Sequence, residues 1–415
     1  MLLILAGVTI SLLLDENGII KKSKDARREY GQAKANEQEQ MDNAEDWIDE
    51  AVTGKVTLAK VPVGTKASKN GTINGEEGNS NNPTIPKGYI PIDTATSTWG
   101  DGSTAPSQDS VDHGLVIKDE KNNEWVWIPV DKATLATMYE ESSDEKTLCG
   151  TTGATVVKTK LYSKTITIGT DTNKETMSRT TTGLTGYREP DLVVSGSSYD
   201  ARTEYYNTIL GFESKEKMAE AFVADYNEMI ASISKYGGFY IGRYELSREG
   251  VKKDKATLTN TNWYNLYKKC KELNASDKVE TRMIWGCQWD VTMNWLISSG
   301  AKTSDEVNTN SSSWGNYGDT SVKADDGKTE LKASEKSAQL NTGKTTFTMA
   351  NNIYDLAGNC SEWTQEAHGT SSRASRGGDC YGYGSGYPAS RRYGNSPDSS
   401  YYDNLRYSSH FNNKI

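Results

Sequence analysis

The fold is decided by NNIYDLAGNCSEWTQEA, residues 351–367, which is followed closely by SRGGD at residues 375–379. Two upstream segments, EWVWIPV (124–130) and GGFYIGRYEL (237–246), have the short β-branched and aromatic runs that are typical of strands. Turn residues and long polar stretches separate these runs. The pattern predicts a domain of short strands joined by extensive loops.

Helical spacing appears between these strands. Residues 214–235 place their apolar side chains on one face, and two shorter helices are predicted over residues 262–273 and 289–298. Residues 131–198 look like an insertion of loops and edge strands, and residues 308–337 look like a polar loop. Short strands with a few helices predict an α+β domain.

Composition limits the classes of function. The chain has 415 residues and a net charge of −9, and without a basic stripe this charge argues against a nucleic-acid partner. Ten Trp and 23 Tyr against five Phe predict aromatic residues at surfaces and half-buried positions. The five cysteines include no CxxC pair, which excludes a disulfide scaffold and a zinc site, although a Cys360–Cys380 bridge stays open.

The chain begins with an apolar run, Leu2 to Leu14, which is shorter than the ~20 residues that a membrane span needs. It lacks the basic start and the small-residue cleavage site of a secretory signal. The charged sequence after it keeps helical spacing, which predicts one N-terminal helix over residues 1–52 with an apolar end. Gly, Asn, Ser and Lys then dominate residues 53–82, which we interpret as a linker.

LLILAGVTISLLLDENGII, residues 2–20, resembles the inner half of the first helix of type IV pilins and pseudopilins. The basic leader, processing site and early glutamate of that family would precede it, so we expect the sequence to be trimmed. The resemblance implies an extracellular protein on the cell surface or a pilus, anchored by its N-terminal apolar helix and able to contact other pilins. An ordinary membrane anchor or a signal-anchor remnant is the alternative.

Residues 83–415 resemble the C-type-lectin-like fold of formylglycine-generating enzymes. The resemblance rests on GGFYIGRYEL, WGCQWDVTMNWL (285–296), NIYDLAGNCSEWT (352–364), SRGGD and RYGNSPD (392–398), with EWVWIPV as the first strand. This chain departs from the family at Ser361, where Trp is usual. It departs again at Leu405–Arg406–Tyr407, where the last strand usually ends Gly-Phe-Arg.

The resemblance also allows the family's catalysis to be tested. Formylglycine-generating enzymes bind copper(I) through a pair of cysteines after the GG dipeptide, and thiolates suit that soft metal. Here Cys380 is the only cysteine in that segment, and His113, His368 and His410 have no metal-ligand spacing. We therefore expect no enzymatic activity and no required cofactor, with a formylglycine-generating-type oxidase as the alternative.

The closing segment, Gly377 to Asn413, contains seven tyrosines among Ser, Gly, Asn, Asp and Arg. These residue types are the ones that antibody binding loops use, because rigid rings give contact area and small polar groups give adaptable hydrogen bonds. A disordered tail is the alternative, but such tails are poor in aromatic residues. We therefore predict a folded binding surface.

The same lectin-like fold carries the variable proteins of diversity-generating retroelements. There, adenines of AAY codons are mutated, and such changes cannot produce Lys, Glu, Gln, Trp or Met. All five types are missing from residues 377–413, so the resemblance implies a diversified segment, although a Tyr-rich binding surface would also lack several of them. Pro388–Ser390 and Pro397 look like fixed framework between variable positions.

We predict that this segment binds an unknown protein or glycan on another cell or phage. A structural minor pilin with no ligand is a third hypothesis. The predicted ligand-binding residues are Asp379, Tyr381, Tyr383, Ser385, Tyr387, Arg392, Tyr393, Asn395, Ser399, Ser400, Tyr401, Tyr402, Asp403, Asn404 and Tyr407.

The matching loop of formylglycine-generating enzymes binds calcium. Carried over, the resemblance implies a structural Ca²⁺ held by Asp355, Gly358, Cys360 and Glu362, whose oxygens suit this hard cation. The alternative is an Asp-Gly turn in which Glu362 pairs with an arginine such as Arg376. The calcium motifs by which true lectins bind sugars are absent, so calcium-dependent sugar binding is not expected.

Overall fold

The structure is a computed structural model. It describes residues 57–58, 79–86, 88–100, 105–138, 141–149, 157–162, 189–193, 199–273, 279–399, 407–408 and 411–414. The chain forms two compact units, residues 1–58 and 59–415. The predicted helix over residues 1–52 and most of the predicted linker lie outside the described residues. Within the described ranges, no helix combines the length and apolar character needed to cross a membrane.

Six α-helices occur in the described part of the second unit, with 3₁₀ turns at Tyr199–Ala201 and Thr346–Thr348 and a π-helical turn at Glu204–Ile209. The α-helices are α1 (Gln108–Asp112), α2 (Lys132–Met138), α3 (Lys215–Tyr236), α4 (Trp263–Leu273), α5 (Gly286–Ser298) and α6 (Ser304–Asn308).

Helix α3 is the amphipathic helix predicted from the sequence. Ser214 caps it, since its hydroxyl accepts from the amide of Lys217 at 3.2 Å, and Gly237 ends it with a left-handed φ of 75°. Its buried face includes Met218, Phe222 and Tyr226. Helix α4 is also confirmed, and α5 begins at Gly286, earlier than predicted.

The strands of the described residues are short, and β1 belongs to the first unit. They are β1 (Thr57–Leu58), β2 (Tyr89–Asp93), β3 (Val116–Asp119), β4 (Glu124–Pro129), β5 (Glu141–Cys149), β6 (Val157–Tyr162), β7 (Gly238–Gly242), β8 (Glu280–Met283), β9 (Val322–Lys323), β10 (Glu330–Lys332), β11 (Met349–Ala350), β12 (Ile353–Tyr354), β13 (Ser361–Ala367), β14 (Arg373–Arg376), β15 (Arg392–Asn395), β16 (Tyr407–Ser408) and β17 (Phe411–Lys414). Mixed helices and small, mainly antiparallel sheets confirm the α+β class.

Two sheets organise the second unit. In the larger one the order is β2-β3-β4-β7-β17-β8, and Trp127 of β4 lies opposite Tyr240 of β7. In the smaller one the order is β15-β14-β13-β16, and only the β13–β16 pair is parallel. The closing segment thus supplies β15 and β16 to one sheet and β17 to the other.

Two polar regions contain regular elements that the sequence did not predict. The insertion at residues 131–198 has the predicted strands, as the antiparallel β5–β6 pair, and also contains helix α2. Residues 308–337, predicted as loop, contain the β9–β10 pair. These elements are hard to predict from the sequence. A small pair of strands can be held by hydrogen bonds without an alternating apolar pattern, so its sequence stays polar.

The tryptophans do not follow the prediction of aromatic residues at surfaces and half-buried positions. Every tryptophan except Trp47, which is not described, is buried. Several satisfy the indole N–H inside the protein: Trp99 donates to the carbonyl of Val116 at 2.7 Å, and Trp263 donates to that of Thr364 at 2.8 Å. Because interior carbonyls accept these hydrogens, the rings can be buried completely.

Candidate ligand-binding surface

The candidate site is built on the loop that connects β14 to β15, residues 377–391. Two glycines with left-handed φ values, Gly377 (85°) and Gly378 (73°), turn the chain out of β14. A Cβ atom at Gly378 would lie 2.5 Å from the carbonyl oxygen of Tyr387 and 2.9 Å from the ring of Tyr317. The turn therefore requires glycine for both its conformation and its packing.

The loop is fastened to the segment before β9. The amide of Gly318 donates to the carbonyl of Gly382 at 2.8 Å, and the amide of Ser311 donates to that of Gly384 at 3.2 Å. Lys332 holds this segment in turn, since its buried ammonium group donates to the carbonyls of Tyr317 and Thr320, each at 2.5 Å. Burial of Lys332 lowers its pKa. The closing segment is thus folded over residues 377–399, where the tail alternative is wrong.

The predicted framework residues lie in the interior. Pro388, Ala389 and Ser390 are buried, and the indole of Trp289 donates to the carbonyl of Ala389 at 3.1 Å. Pro397 is also buried, and its carbonyl accepts from the amide at the start of helix α4 at 3.0 Å. These positions fix the backbone on either side of the residues that face outward.

The tyrosines of the loop and of the start of β15 reach the surface. Tyr383 is 54% exposed and Tyr393 is 39% exposed, and Tyr381 and Tyr387 are half-buried. The rings of Tyr387 and Tyr393 meet edge to face with centroids 6.1 Å apart. The remaining described positions of the predicted set at the surface are Ser385, which is exposed, and Ser399, which is half-buried.

Three predicted ligand-binding residues lie in the interior instead. Asp379 is buried, and its Oδ1 accepts from the amides of Tyr381 and Gly382 at 2.9 and 3.0 Å. Burial raises the pKa of Asp379, and these two hydrogen bonds oppose that effect. Asn395 is buried as well and donates to the hydroxyl of Ser375 at 2.8 Å.

Arg392 is the third of these buried residues. Its Nε and Nη2 donate to Oε1 of Glu366 at 2.8 and 2.6 Å. Asp379, Asn395 and Arg392 therefore shape the loop and the sheet, and their contact with a ligand stays a prediction.

Ser400, Tyr401, Tyr402, Asp403 and Asn404 lie outside the described residues. Tyr407 is placed in strand β16, and only its backbone is described.

Arg391 lies beside these tyrosines, although it is not among the residues predicted from the sequence. Its guanidinium lies over the rings of Tyr387 and Tyr393, 4.8 and 5.8 Å from their centroids, and its Nη1 donates to the carbonyl of Gly386. Side chains along a strand alternate between its two faces. This alternation indicates that Arg391, directly before β15, lies on the same side as Tyr393 and opposite to Arg392. With two adjacent arginines, composition alone could not choose the outward one.

These side chains lie around a shallow recess that is open to solvent. Its wall is formed by two tyrosines, two arginines, two serines and a glycine: Ser361, Ser375, Arg376, Gly378, Tyr387, Arg391 and Tyr393. None of these lining residues is acidic. The recess is therefore lined mainly by tyrosine and arginine side chains.

Buried ion pairs support the sheet beneath the loop. Arg373 pairs with Asp200 and Arg376 pairs with Asp290, and all four side chains are at most 3% exposed. Arg392 and Glu366 form the third pair, described above. Arginine is suited to such sites because its planar fork can satisfy several acceptors at once.

The predicted calcium ligands lie in a buried acidic region. Asp355 has a left-handed φ of 61°, and its Oδ2 accepts from the hydroxyl of Thr342 and the amide of Gly343 at 3.0 and 2.8 Å. Burial raises the pKa of Glu362, and the nearby charges of Glu245 and Asp355 raise it further. The calcium site stays a prediction.

Glu245 is the member of this region that the sequence did not reveal. Its Oε1 accepts from the amide of Cys360 at 3.1 Å, and its Oε2 accepts from the amide group of Asn359 at 2.6 Å. It comes from the segment after β7, which is distant in sequence from the loop it holds.

A separate acidic group surrounds Arg282. In the described part of the chain, Asp225, Glu228 and Glu280 place carboxylate oxygens within 4.8 Å of one another. Arg282 forms ion pairs with all three, so a cation already occupies the centre of this cluster.

The cysteines form no disulfide. All five are free thiols, so the Cys360–Cys380 bridge is not present in this structure. Burial raises the pKa of the Cys360 thiol well above its usual value, and the charge of Glu245 adds to this effect.

Comparisons with known proteins give limited information. No family model matches the chain, and no curated protein matches it. Among solved structures, one neighbour is Treponema denticola variable protein 1, which is 16% identical, covers 43% of this chain and 85% of its own, and has a TM-score of 0.27. This chain is therefore only weakly similar to that variable protein.

Proposed function

We propose that this protein binds a macromolecular ligand through the outward face of its β14–β15 loop. The observation that carries the proposal is the display of Tyr381, Tyr383 and Tyr387 on a loop whose base is anchored in the interior, with Tyr393 beside them on β15. Tyrosine and arginine are the residue types that often dominate interface energies, at ~2 kcal/mol or more for a central residue. An anchored backbone lowers the conformational cost of binding.

The proposal includes the finer features that the sequence suggested. In it, the domain has a C-type-lectin-like fold of the formylglycine-generating type, and a retroelement diversifies residues 377–413. The N-terminal pilin-like helix presents the domain outside the cell, as in an adhesin or receptor. The division between anchored and outward residues supports diversification, because outward side chains can change without altering the core.

We also propose that the protein is not an enzyme. The segment after Gly377 and Gly378 contains one cysteine, Cys380, whereas the family's copper site needs two thiolates. Incubation with copper and a cysteine-containing sulfatase peptide tests this statement. Conversion of the cysteine to formylglycine would favour the oxidase alternative and overturn it.

A structural Ca²⁺ at the loop of residues 355–362 forms part of the proposal. Asp355 and Glu362 would supply carboxylate oxygens, and Gly358 and Cys360 would supply carbonyls. The observation that favours a cation is the concentration of buried carboxylates: burial raises the pKa of Glu362, and the charges of Glu245 and Asp355 raise it further. A bound divalent cation would stabilise their ionised forms.

The binding proposal is tested with two displayed libraries of the full chain. One randomises Tyr381, Tyr383, Tyr387 and Tyr393, and the control randomises four buried positions: Tyr317, Ala357, Ala374 and Ala389. We expect most members of the first library to stay folded and some to bind a test antigen such as lysozyme. We expect most members of the second to unfold. Loss of folding in both libraries would contradict an anchored, variable surface.

Diversification has a separate test in the DNA. We expect a near-repeat of the codons for residues 377–413 close to the gene, differing at adenines and lying beside a reverse transcriptase gene. Absence of such a repeat from the complete genome would refute the retroelement statement and leave the binding proposal to the library experiment.

A further inference from the structure

We infer that Asn359, a residue of the interior, is a positioning residue for the proposed ligand-binding surface. This inference rests on the proposed function, because the β14–β15 loop that Asn359 holds is the surface assigned to the ligand. The side chain of Asn359 is fully buried, so it acts through its neighbours and not by contact with a ligand.

The side chain of Asn359 uses all of its hydrogen-bonding capacity. A carboxamide has two N–H donors and an oxygen with two lone pairs. Its Nδ2 donates to Oε2 of Glu245 at 2.6 Å and to the carbonyl of Leu340 at 3.2 Å. Its Oδ1 accepts from Nδ2 of Asn316 and from the amide of Leu340, each at 2.9 Å. Aspartate has no N–H donor and could make only the acceptor half of these bonds, so the position requires asparagine.

The backbone of Asn359 extends this network to the base of the loop. Its φ of 61° is left-handed, a conformation that asparagine adopts more readily than most residues. Its amide donates to the carbonyl of Asn316 at 2.8 Å, and its carbonyl accepts from the amide of Cys380 at 3.1 Å. Two residues after Asn316, the amide of Gly318 donates to the carbonyl of Gly382 at 2.8 Å. Asn359 therefore holds the loop directly at Cys380 and also through the segment on which the loop rests.

A network of this kind favours one arrangement of the segments that it joins. Any other arrangement would leave buried polar groups without partners, which is costly in a low-dielectric interior. The tyrosines of the loop are then displayed in one arrangement before a ligand arrives, and less conformational freedom is lost on binding. Removal of the Asn359 side chain should therefore weaken binding, although that side chain lies beneath the surface.

Asn352 supplies a matched control. It is also a buried asparagine with a left-handed φ, which is 64°. Its Nδ2 has its described partners at residues 94–114, and these include the carbonyls of His113 and Gly114 at 3.0 and 2.9 Å. Glycine at position 359 or 352 keeps the left-handed backbone and removes the side-chain bonds, so the two variants differ in where the bonds lead.

The first test measures the order of the loop by hydrogen exchange of the full-length protein, read by mass spectrometry. For Asn359→Gly we expect peptides that cover residues 311–320 and 377–387 to exchange at least about tenfold faster, as the loss of buried hydrogen bonds implies. Peptides that cover β4 and β7 should keep their rates, because the effect is a local opening. Asn352→Gly should leave the loop peptides unchanged and accelerate residues 94–114.

A milder variant guards against misfolding. Asn316→Ala removes one donor to Oδ1 of Asn359 and leaves the other bonds of that side chain in place. We expect it to accelerate the same loop peptides to a smaller extent. It decides the question if Asn359→Gly does not fold.

The second test measures affinity for lysozyme in a lysozyme-binding member of the tyrosine library. Asn359→Gly in that member should raise the Kd at least about tenfold, and Asn352→Gly should change it by less than about twofold. Urea denaturation of both variants measures the loss of stability that they share. A merely structural role of Asn359 would change the stability and leave the affinity of the folded protein unchanged.

Three results would overturn the inference: unchanged exchange of the loop peptides, equal acceleration of every peptide, or an equal change in Kd for the two glycine variants. If no library member binds lysozyme, the proposed function fails. The exchange comparison then still decides whether Asn359 fixes the loop. Binders whose affinity does not depend on Asn359 would keep the proposed function and lose the positioning residue.

Discussion

The two sides of the β14–β15 region differ in the burial of their side chains, and we expect them to differ in the substitutions that they tolerate. On the inner side, arginines pair with acids from three other elements, such as Asp200 and Asp290, and nearly every side chain is buried. On the outer side, Tyr383 of the loop and Tyr393 of β15 face solvent, and the loop is fixed through its backbone. The comparison indicates that order in the loop comes from its backbone and base, so the outer side chains are left available for recognition.

The largest expected effect is on the inner side. Asp200→Asn removes the charge that neutralises Arg373 and disturbs the carboxylate that accepts from the hydroxyl of Tyr264 at 2.8 Å. Leaving a buried charge without its partner costs about 3–5 kcal/mol. Urea denaturation should show this loss in the free energy of unfolding.

Asp326→Asn is the control, because Asp326 is exposed and bonds only within its own turn. A loss below about 1 kcal/mol for Asp200→Asn would show that the inner ion pairs do not support the sheet.

The next effect concerns the turn that joins the two sides. Gly378→Ala places a methyl group 2.5 Å from a carbonyl oxygen at a left-handed φ, and we expect a loss of about 2–4 kcal/mol in the free energy of unfolding. Gly327→Ala is the matched control, because Gly327 has a φ of 66° but no atom within 4 Å of the added group. Calorimetry measures the free energy of unfolding of both variants. Equal losses would mean that the whole effect comes from the φ angle and none from close packing.

A bound calcium ion would stabilise the inner side of this region in addition to its ion pairs and the glycine turn. If Ca²⁺ binds at residues 355–362, a concentration of about 100 times its Kd should stabilise the fold by about 2.7 kcal/mol over the protein in EDTA. Glu362→Gln should abolish this difference, and Glu228→Gln, in the acidic cluster around Arg282, should keep it. An equal melting temperature in calcium and in EDTA for the unsubstituted protein would contradict the calcium proposal.

The sequence predicts the elements of this molecule better than the direction of its side chains. Periodicity identified helix α3 and the β-branched runs of β4 and β7, since such patterns depend on local spacing. It could not show that Arg392 turns inward while Arg391 turns outward, because that choice depends on the pairing of β15 with β14. Glu245 was missed for a similar reason, since its partner loop follows more than a hundred residues later.

The smallest expected effect is on the outer side, and it tests the comparison most directly. Tyr383→Ser removes a ring that is 54% exposed, so we expect the free energy of unfolding to change by less than about 0.5 kcal/mol. The same replacement at Tyr317, which is fully buried and donates to the carbonyl of Gly377 at 2.7 Å, should cost about 3–5 kcal/mol. Similar losses at the two positions would mean that Tyr383 supports the fold, and a surface of that kind could not be varied freely.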